Sequence, residues 1–171
     1  GCADDPSCPL DDAGATFDRV AAAMDEQSLP GGDGEVGPSE LQTGAVLATY
    51  GFNGDDAQQL WQALADAENG DGDAIAALAQ QYYDLGGYTS YAAVECVDSS
   101  VPQGSEEYQA FADELIAAAP RTGASVANEL LPCAFWPAPP SGDPHVVTAP
   151  GSPAVLVIGT TGDAATPYQQ A

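Results

Sequence analysis

From Asp11 to Ala92 apolar residues recur at three- and four-residue spacings in separate segments, the pattern of short amphipathic helices. Phe17, Val20, Ala21 and Met24 form one face of the first, which stops before Pro30. The Gly- and acid-rich stretch Gly31 to Gly37 predicts a loop, and Pro38-Ser39-Glu40 opens a second helix with Leu41, Ala45, Val46 and Tyr50 inward. Gly51 to Gly54 breaks it; Asp55 or Asp56 caps a third with Leu60, Trp61, Leu64 and Ala65 inward, and Asn69 to Gly72 ends that one. A fourth has Ile75, Leu78, Ala79, Tyr82 and Tyr83 on its apolar face. No strand is expected between them, so residues 1–91 predict a small all-helical module of the kind that covers a pocket.

After Gly86-Gly87 the pattern changes. Tyr91 to Val97 is a short, partly β-branched apolar run that predicts a strand or an extended segment entering a sheet. Ser105 to Ala119 predicts a helix with Tyr108, Phe111, Leu115 and Ile116 inside, Gly123 to Leu131 a shorter one, and Pro132 to Pro150 an irregular connection. Ala154-Val155-Leu156-Val157-Ile158, bounded by Pro153 and Gly159, is apolar without interruption, which suits a strand buried on both faces of a parallel sheet.

Charge changes the picture of the surface. The chain holds 26 acidic and 2 basic residues, a net charge of −24 over 171 residues, with Arg19 and Arg121 as its cations. Nucleic acid and anionic membrane surfaces would repel it. The acids are scattered along the chain, which suits a highly solvated or salt-adapted surface better than a docking tail for a cationic partner. The longest apolar run, Ala154 to Ile158, is far too short to cross a bilayer, and Gly1-Cys2-Ala3-Asp4-Asp5 has no signal-peptide pattern. Cys2, Cys8, Cys96 and Cys133 fit no zinc ribbon or finger, and no metal or organic cofactor is expected. Two disulfides are favoured, in an oxidising, extracytoplasmic compartment; free buried thiols in a cytosolic protein are the alternative. Three connectivities are possible, and Cys2 with Cys8 and Cys96 with Cys133 is preferred because the first pair closes a tight Pro-containing turn.

The most informative stretch runs from Ser152 to Pro167. A buried strand ends, the Gly-rich turn Gly159-Thr160-Thr161-Gly162-Asp163 presents an acid at its carboxyl end, and Thr166-Pro167 starts a helix. This strand and Gly-Thr-x-Gly-Asp-x-x-Thr-Pro-Tyr closely resemble the C-terminal segment of secreted bacterial tripeptidyl aminopeptidases, relatives of the proline iminopeptidases within the α/β-hydrolases. The resemblance extends in order along almost the whole chain. It takes in the cysteine-bounded turn from Cys2 to Leu10, Trp61-x-x-Leu64-x-x-Ala67 with Gly70-Asp71-Gly72, Ala93 to Asp98, and Pro132 to Pro137. It implies an α/β fold: a mostly helical lid over residues 1–91, then over 92–171 part of the C-terminal hydrolase core with one or two parallel sheet strands. It also implies that Asp163 is the acid of a Ser-His-Asp triad, holding the histidine in its productive tautomer. The substrate class implied is the amino-terminal end of a peptide, cleaved by a secreted or cell-surface enzyme.

The departures from the family's pattern matter equally. Gly-x-Ser-x-Gly is absent and no histidine follows Asp163, although the triad of α/β-hydrolases runs Ser, Asp, His. The nucleophile is therefore expected upstream of Gly1 and the histidine downstream of Ala171, with this segment inactive by itself. His145 precedes the acid in a Pro-rich connection and reads as a surface or structural residue. Asn69 to Asp73 alternates oxygens as a calcium loop would, but Ala74 and Gln80 stand where an EF-hand needs Gly and Glu, so a helix stop and an Asp cap are the simpler reading. Glu95 and Asp98 are candidates to hold a substrate's ammonium, against a structural role beside Cys96. Trp61, Tyr82, Tyr83, Phe135 and Trp136 could line a pocket, with core packing as the default. Thr166 reads as the cap of the helix begun by Pro167. Two alternatives stay open: an esterase or other acyl hydrolase of the same fold, and a non-catalytic acidic binding module on a hydrolase scaffold.

Overall fold

The computed structural model describes residues 2–51, 55–142, 145, 146, 148, 150–154, 156–160, 163, 166 and 168. They form two compact units, Gly1–Leu85 with Leu156–Ala171, and Gly86–Val155.

The first unit opens with a 3-10 turn at Cys2–Asp4, closed by the Cys2–Cys8 disulfide. Inside this turn Asp5 accepts from the hydroxyl of Ser7 at 2.6 Å and from its N–H at 2.8 Å, and those bonds, the hydroxyl's first, hold the Asp5 carboxyl below its ordinary range. Helix α1 (Ala13–Glu26) starts where Asp12 Oδ1 accepts from Ala15 N–H at 3.0 Å, and buries Thr16, Phe17, Val20 and Met24. Strands β1 (Leu29–Gly31) and β2 (Gly34–Val36) form an antiparallel hairpin. Next come α2 (Pro38–Tyr50), α3 (Asp56–Glu68) and α4 (Asp73–Asp84). Val20, Met24, Val36, Leu41, Leu47, Leu64, Ile75 and Leu78 make one core. Gly44 lets α2 lie close to α4, since a Cβ there would stand 3.1 Å from Leu78 Cβ. Arg19 Nε donates to Glu68 Oε1 at 2.8 Å and ties α1 to α3 at the surface.

The hairpin corrects the expectation of a loop without strands. Gly32, at φ 59°, is the first residue of a two-residue connection between the paired Gly31 and Gly34, the position where a type II′ turn takes glycine. The predicted inner faces also rotate slightly. In α2 the buried residues are Leu41, Gly44 and Leu47, leaving Tyr50 exposed; in α3 they include Ala63, Leu64 and Ala67; in α4 Tyr83 is exposed.

The second unit packs α5 (Tyr88–Asp98), α6 (Gly104–Ala118), α7 (Gly123–Glu129) and α8 (Leu131–Ala134) around the buried Cys96–Cys133 disulfide, with Val101, Leu130 and Trp136 against it. Here the strand expected at Tyr91 to Val97 is instead helix α5. Gly86 and Gly87 both take positive φ and release a new helix, whose Ala92 and Cys96, four residues apart, face inward. The carbonyl of Val97 at its end accepts from Ser141 N–H at 2.7 Å and Gly142 N–H at 2.8 Å. In α6 only Ala112 is buried, and Ile116, expected inside, is exposed.

The expected parallel strand at Ala154 to Ile158 is also corrected. Val155 lies outside the described residues; Ala154, Leu156, Val157 and Ile158 carry no ladder, and Leu156 and Ile158 are 83% and 86% exposed. A continuous apolar strand needs neighbours on both sides, and the strands described here, β1 and β2, pair with each other. The sheet of these residues is thus a short antiparallel hairpin in a mostly helical chain.

Candidate functional site

Asp163 is half-buried, and both of its carboxylate oxygens are engaged by one residue three positions on. The Thr166 N–H donates to Oδ1 at 2.7 Å, and the Thr166 hydroxyl donates to Oδ2 at 3.0 Å. Two charge-assisted bonds, one to each oxygen, restrict rotation of the carboxylate. Such a group can accept a proton donor such as an imidazole N–H. The helix expected from Pro167 begins at a residue outside those described.

The other sequence candidates fall elsewhere. His145 is an exposed residue of the second unit's irregular connection. Glu95 and Asp98 lie three residues apart on α5, Glu95 half-buried beside the Cys96 bridge and Asp98 exposed. The Asn69 to Asp73 stretch joins helix to hairpin: Asp71 Oδ1 accepts from Asp73 N–H at 3.0 Å, and Asp73 Oδ1 accepts from Gly32 N–H at 2.8 Å. Among the described residues no three His, Cys, Asp or Glu side chains are grouped to hold a metal ion, and no helix is long and apolar enough to cross a membrane. The aromatic candidates divide: Trp136 packs on the disulfide and Tyr82 on the first core, whereas Tyr83 and Phe135 face solvent. Both preferred cysteine pairings are present, and two disulfides are compatible with an extracytoplasmic location.

One group escaped sequence reasoning. Glu129, at the end of α7, is half-buried, and desolvation raises its carboxyl above the ordinary value. Around it Tyr88 Oη donates to the Glu129 carbonyl at 3.3 Å and Tyr108 Oη donates to Asn128 Oδ1 at 2.9 Å. Desolvation first, and then Tyr88 nearby, raises the Tyr108 phenol. Among 26 acids, nothing in local spacing distinguishes this one.

Residues 119–171 match the family described as TAP-like protein, and this stretch contains Asp163 and Thr166. Serine protease Hip1 of Mycobacterium tuberculosis is 32% identical over 147 residues, covering 77% of this chain and 27% of that protein. Carboxylesterase B of the same species is 29% identical over 188 residues, covering 98% of this chain and 35% of that protein. A putative hydrolase of Mycobacterium bovis matches to the same extent as the carboxylesterase. The chain therefore spans 27–35% of the length of these relatives. With Gly159-Thr-x-Gly-Asp163-x-x-Thr166-Pro inside the matched stretch, residues 119–171 belong to the TAP-like family of α/β-hydrolases, and hydrolases align over most of the chain.

Proposed function

We propose that this chain is part of a secreted serine peptidase that removes tripeptides from the amino terminus of peptide substrates, with Asp163 as the acid of a Ser-His-Asp triad. The observation that carries the reading is the fixed, half-buried carboxylate of Asp163 within the stretch matching the family. In this reading Asp163 accepts the Nδ1–H of the triad histidine, selects the tautomer whose Nε2 can take the serine proton, and stabilises the imidazolium that follows. Serine and histidine come from residues outside these 171, so the segment alone does not hydrolyse peptides. Residues 2 to about 91 form the lid that sets access to the peptide's amino-terminal end. Two disulfides agree with a secreted enzyme.

An esterase is the second reading, favoured by the match to carboxylesterase B over 98% of this chain. The test is the intact hydrolase assayed on a chromogenic tripeptide and on a short-acyl ester, with and without Asp163→Asn. The peptidase reading expects the tripeptide to be the better substrate and kcat to fall by about 10⁴-fold in the variant, as when a triad acid no longer fixes the histidine tautomer. An enzyme that cleaves the ester and leaves the tripeptide intact is an esterase, and one indifferent to Asp163→Asn does not use this acid.

A further inference from the structure

The Asp163 turn is closed twice by its own residues. One closure is the pair of bonds from Thr166, backbone to Oδ1 and hydroxyl to Oδ2. The other is where residues 159 and 168 meet: a Cβ on Gly159 would stand 2.5 Å from Cδ2, 2.9 Å from Cβ and 3.1 Å from Cα of Tyr168. Tyr168 thus lies against the end of the apolar segment, with no room for a side chain between them. Residues 159 and 168 are therefore near neighbours on either side of the bonded pair Asp163 and Thr166.

We propose that Thr166 is the positioning residue of the catalytic acid, aiming the Asp163 carboxylate through its hydroxyl, and that the contact of Tyr168 with Gly159 holds Thr166 in place. This rests on the reading of Asp163 as the triad acid. A carboxylate on a turn rotates about its Cβ–Cγ bond. Two donors from one residue, one to each oxygen, stop that rotation and fix the plane of the carboxylate. The donors also share the carboxylate's charge, so losing the hydroxyl leaves more of that charge facing the imidazole. Orientation then worsens while the histidine becomes more basic.

The experiment uses the intact hydrolase on a chromogenic tripeptide, comparing wild type with Thr166→Val, Thr166→Ser, Tyr168→Ala, Tyr168→Phe and Asp163→Asn over pH. Thr166 is exposed, so valine leaves no buried cavity. Thr166→Val is expected to lower kcat about tenfold, the scale of one hydrogen bond to a charged group, with KM unchanged. It should also move the acid limb of kcat/KM to higher pH, a shift that a mere loss of folded enzyme does not produce. Thr166→Ser restores both. Tyr168→Ala lowers kcat in the same direction and Tyr168→Phe does not, because the ring and not the phenol lies against Gly159. Wild-type rates and limbs in both Thr166→Val and Tyr168→Ala, beside an inactive Asp163→Asn, overturn the positioning role, as does a Thr166→Ser enzyme no better than Thr166→Val. Full activity in Asp163→Asn removes the triad reading itself, and the positioning role with it.

Discussion

Gly31 of the hairpin lies directly against Gly72 at the start of α4: a Cβ on Gly31 would stand 2.6 Å from the Gly72 carbonyl carbon and 2.7 Å from Val36 Cγ2. The Gly72 N–H donates to the Pro30 carbonyl at 2.8 Å across the same contact. Backbone meets backbone here, so neither side can yield by turning a side chain. Gly31→Ala is therefore expected to destabilise the first unit by about 1–3 kcal/mol, the range for overpacking a tight site. Gly34, its partner in the hairpin, has open space where a Cβ would go, and Gly34→Ala should be neutral or slightly stabilising. Urea unfolding of the two variants compares them directly. Equal midpoints would mean that the hairpin does not clasp α4.

The two disulfides differ in what they enclose. Cys96 and Cys133 are 37 residues apart and fully buried at the centre of the second unit's small core; Cys2 and Cys8 are 6 apart and half-buried. Loop entropy assigns about 4 kcal/mol to the first and about 2 kcal/mol to the second. Replacing Cys96 and Cys133 together by alanine should unfold residues of the second unit while α1 to α4 keep their amide protection, since their core does not depend on that bridge. Under mild reductant in the folded state, thiol labelling should find Cys2 and Cys8 first. Labelling of Cys96 before Cys2 would show that the second core opens readily.

How far the sequence carried this picture depends on the scale of the signal. Phe17, Val20 and Met24, or Ile75 and Leu78, repeat over several turns, and the helices they predict are present with those residues buried. Signals that depend on tertiary partners failed. Tyr91 to Val97 looked like a strand because Val94 and Val97 are β-branched, yet Val94 is exposed on a helix whose buried residues are Ala92 and Cys96. Ala154 to Ile158 has the composition of a central strand, but composition cannot supply the neighbours such a strand pairs with. At the site, the position of Asp163 after an apolar run was visible, and so was the nearness of Thr166. The use of both carboxylate oxygens by Thr166, and Tyr168 lying on Gly159, are geometric facts with no periodicity to announce them.

Glu129 makes the stability of the fold depend on pH. Desolvation raises its folded-state value above 4.5, the value expected when unfolded, so the folded state binds its proton more tightly. The stabilising contribution is complete below pH 4.5 and is lost as pH rises through the folded value. Glu129→Gln keeps the shape and cannot ionise. Its unfolding midpoint should exceed that of the wild type at pH 7, and the gap should close below pH 4.5. A gap that stays constant with pH would locate the effect in packing rather than in the charge.

A net charge of −24 with two cations leaves most acidic side chains without an opposite charge anywhere in the sequence, and Arg19 already serves Glu68. Compacting the chain brings these like charges together, so self-repulsion opposes folding. Salt should relieve it, with the thermal midpoint rising steeply from low ionic strength and levelling off as the Debye length falls to about 3 Å near 1 M. Because screening depends on ionic strength rather than on a bound ion, sodium and potassium chloride should coincide at equal ionic strength, and sucrose at equal osmolality should not reproduce the low-salt rise. A midpoint indifferent to salt would mean that the acids are spaced widely enough for water alone to screen them.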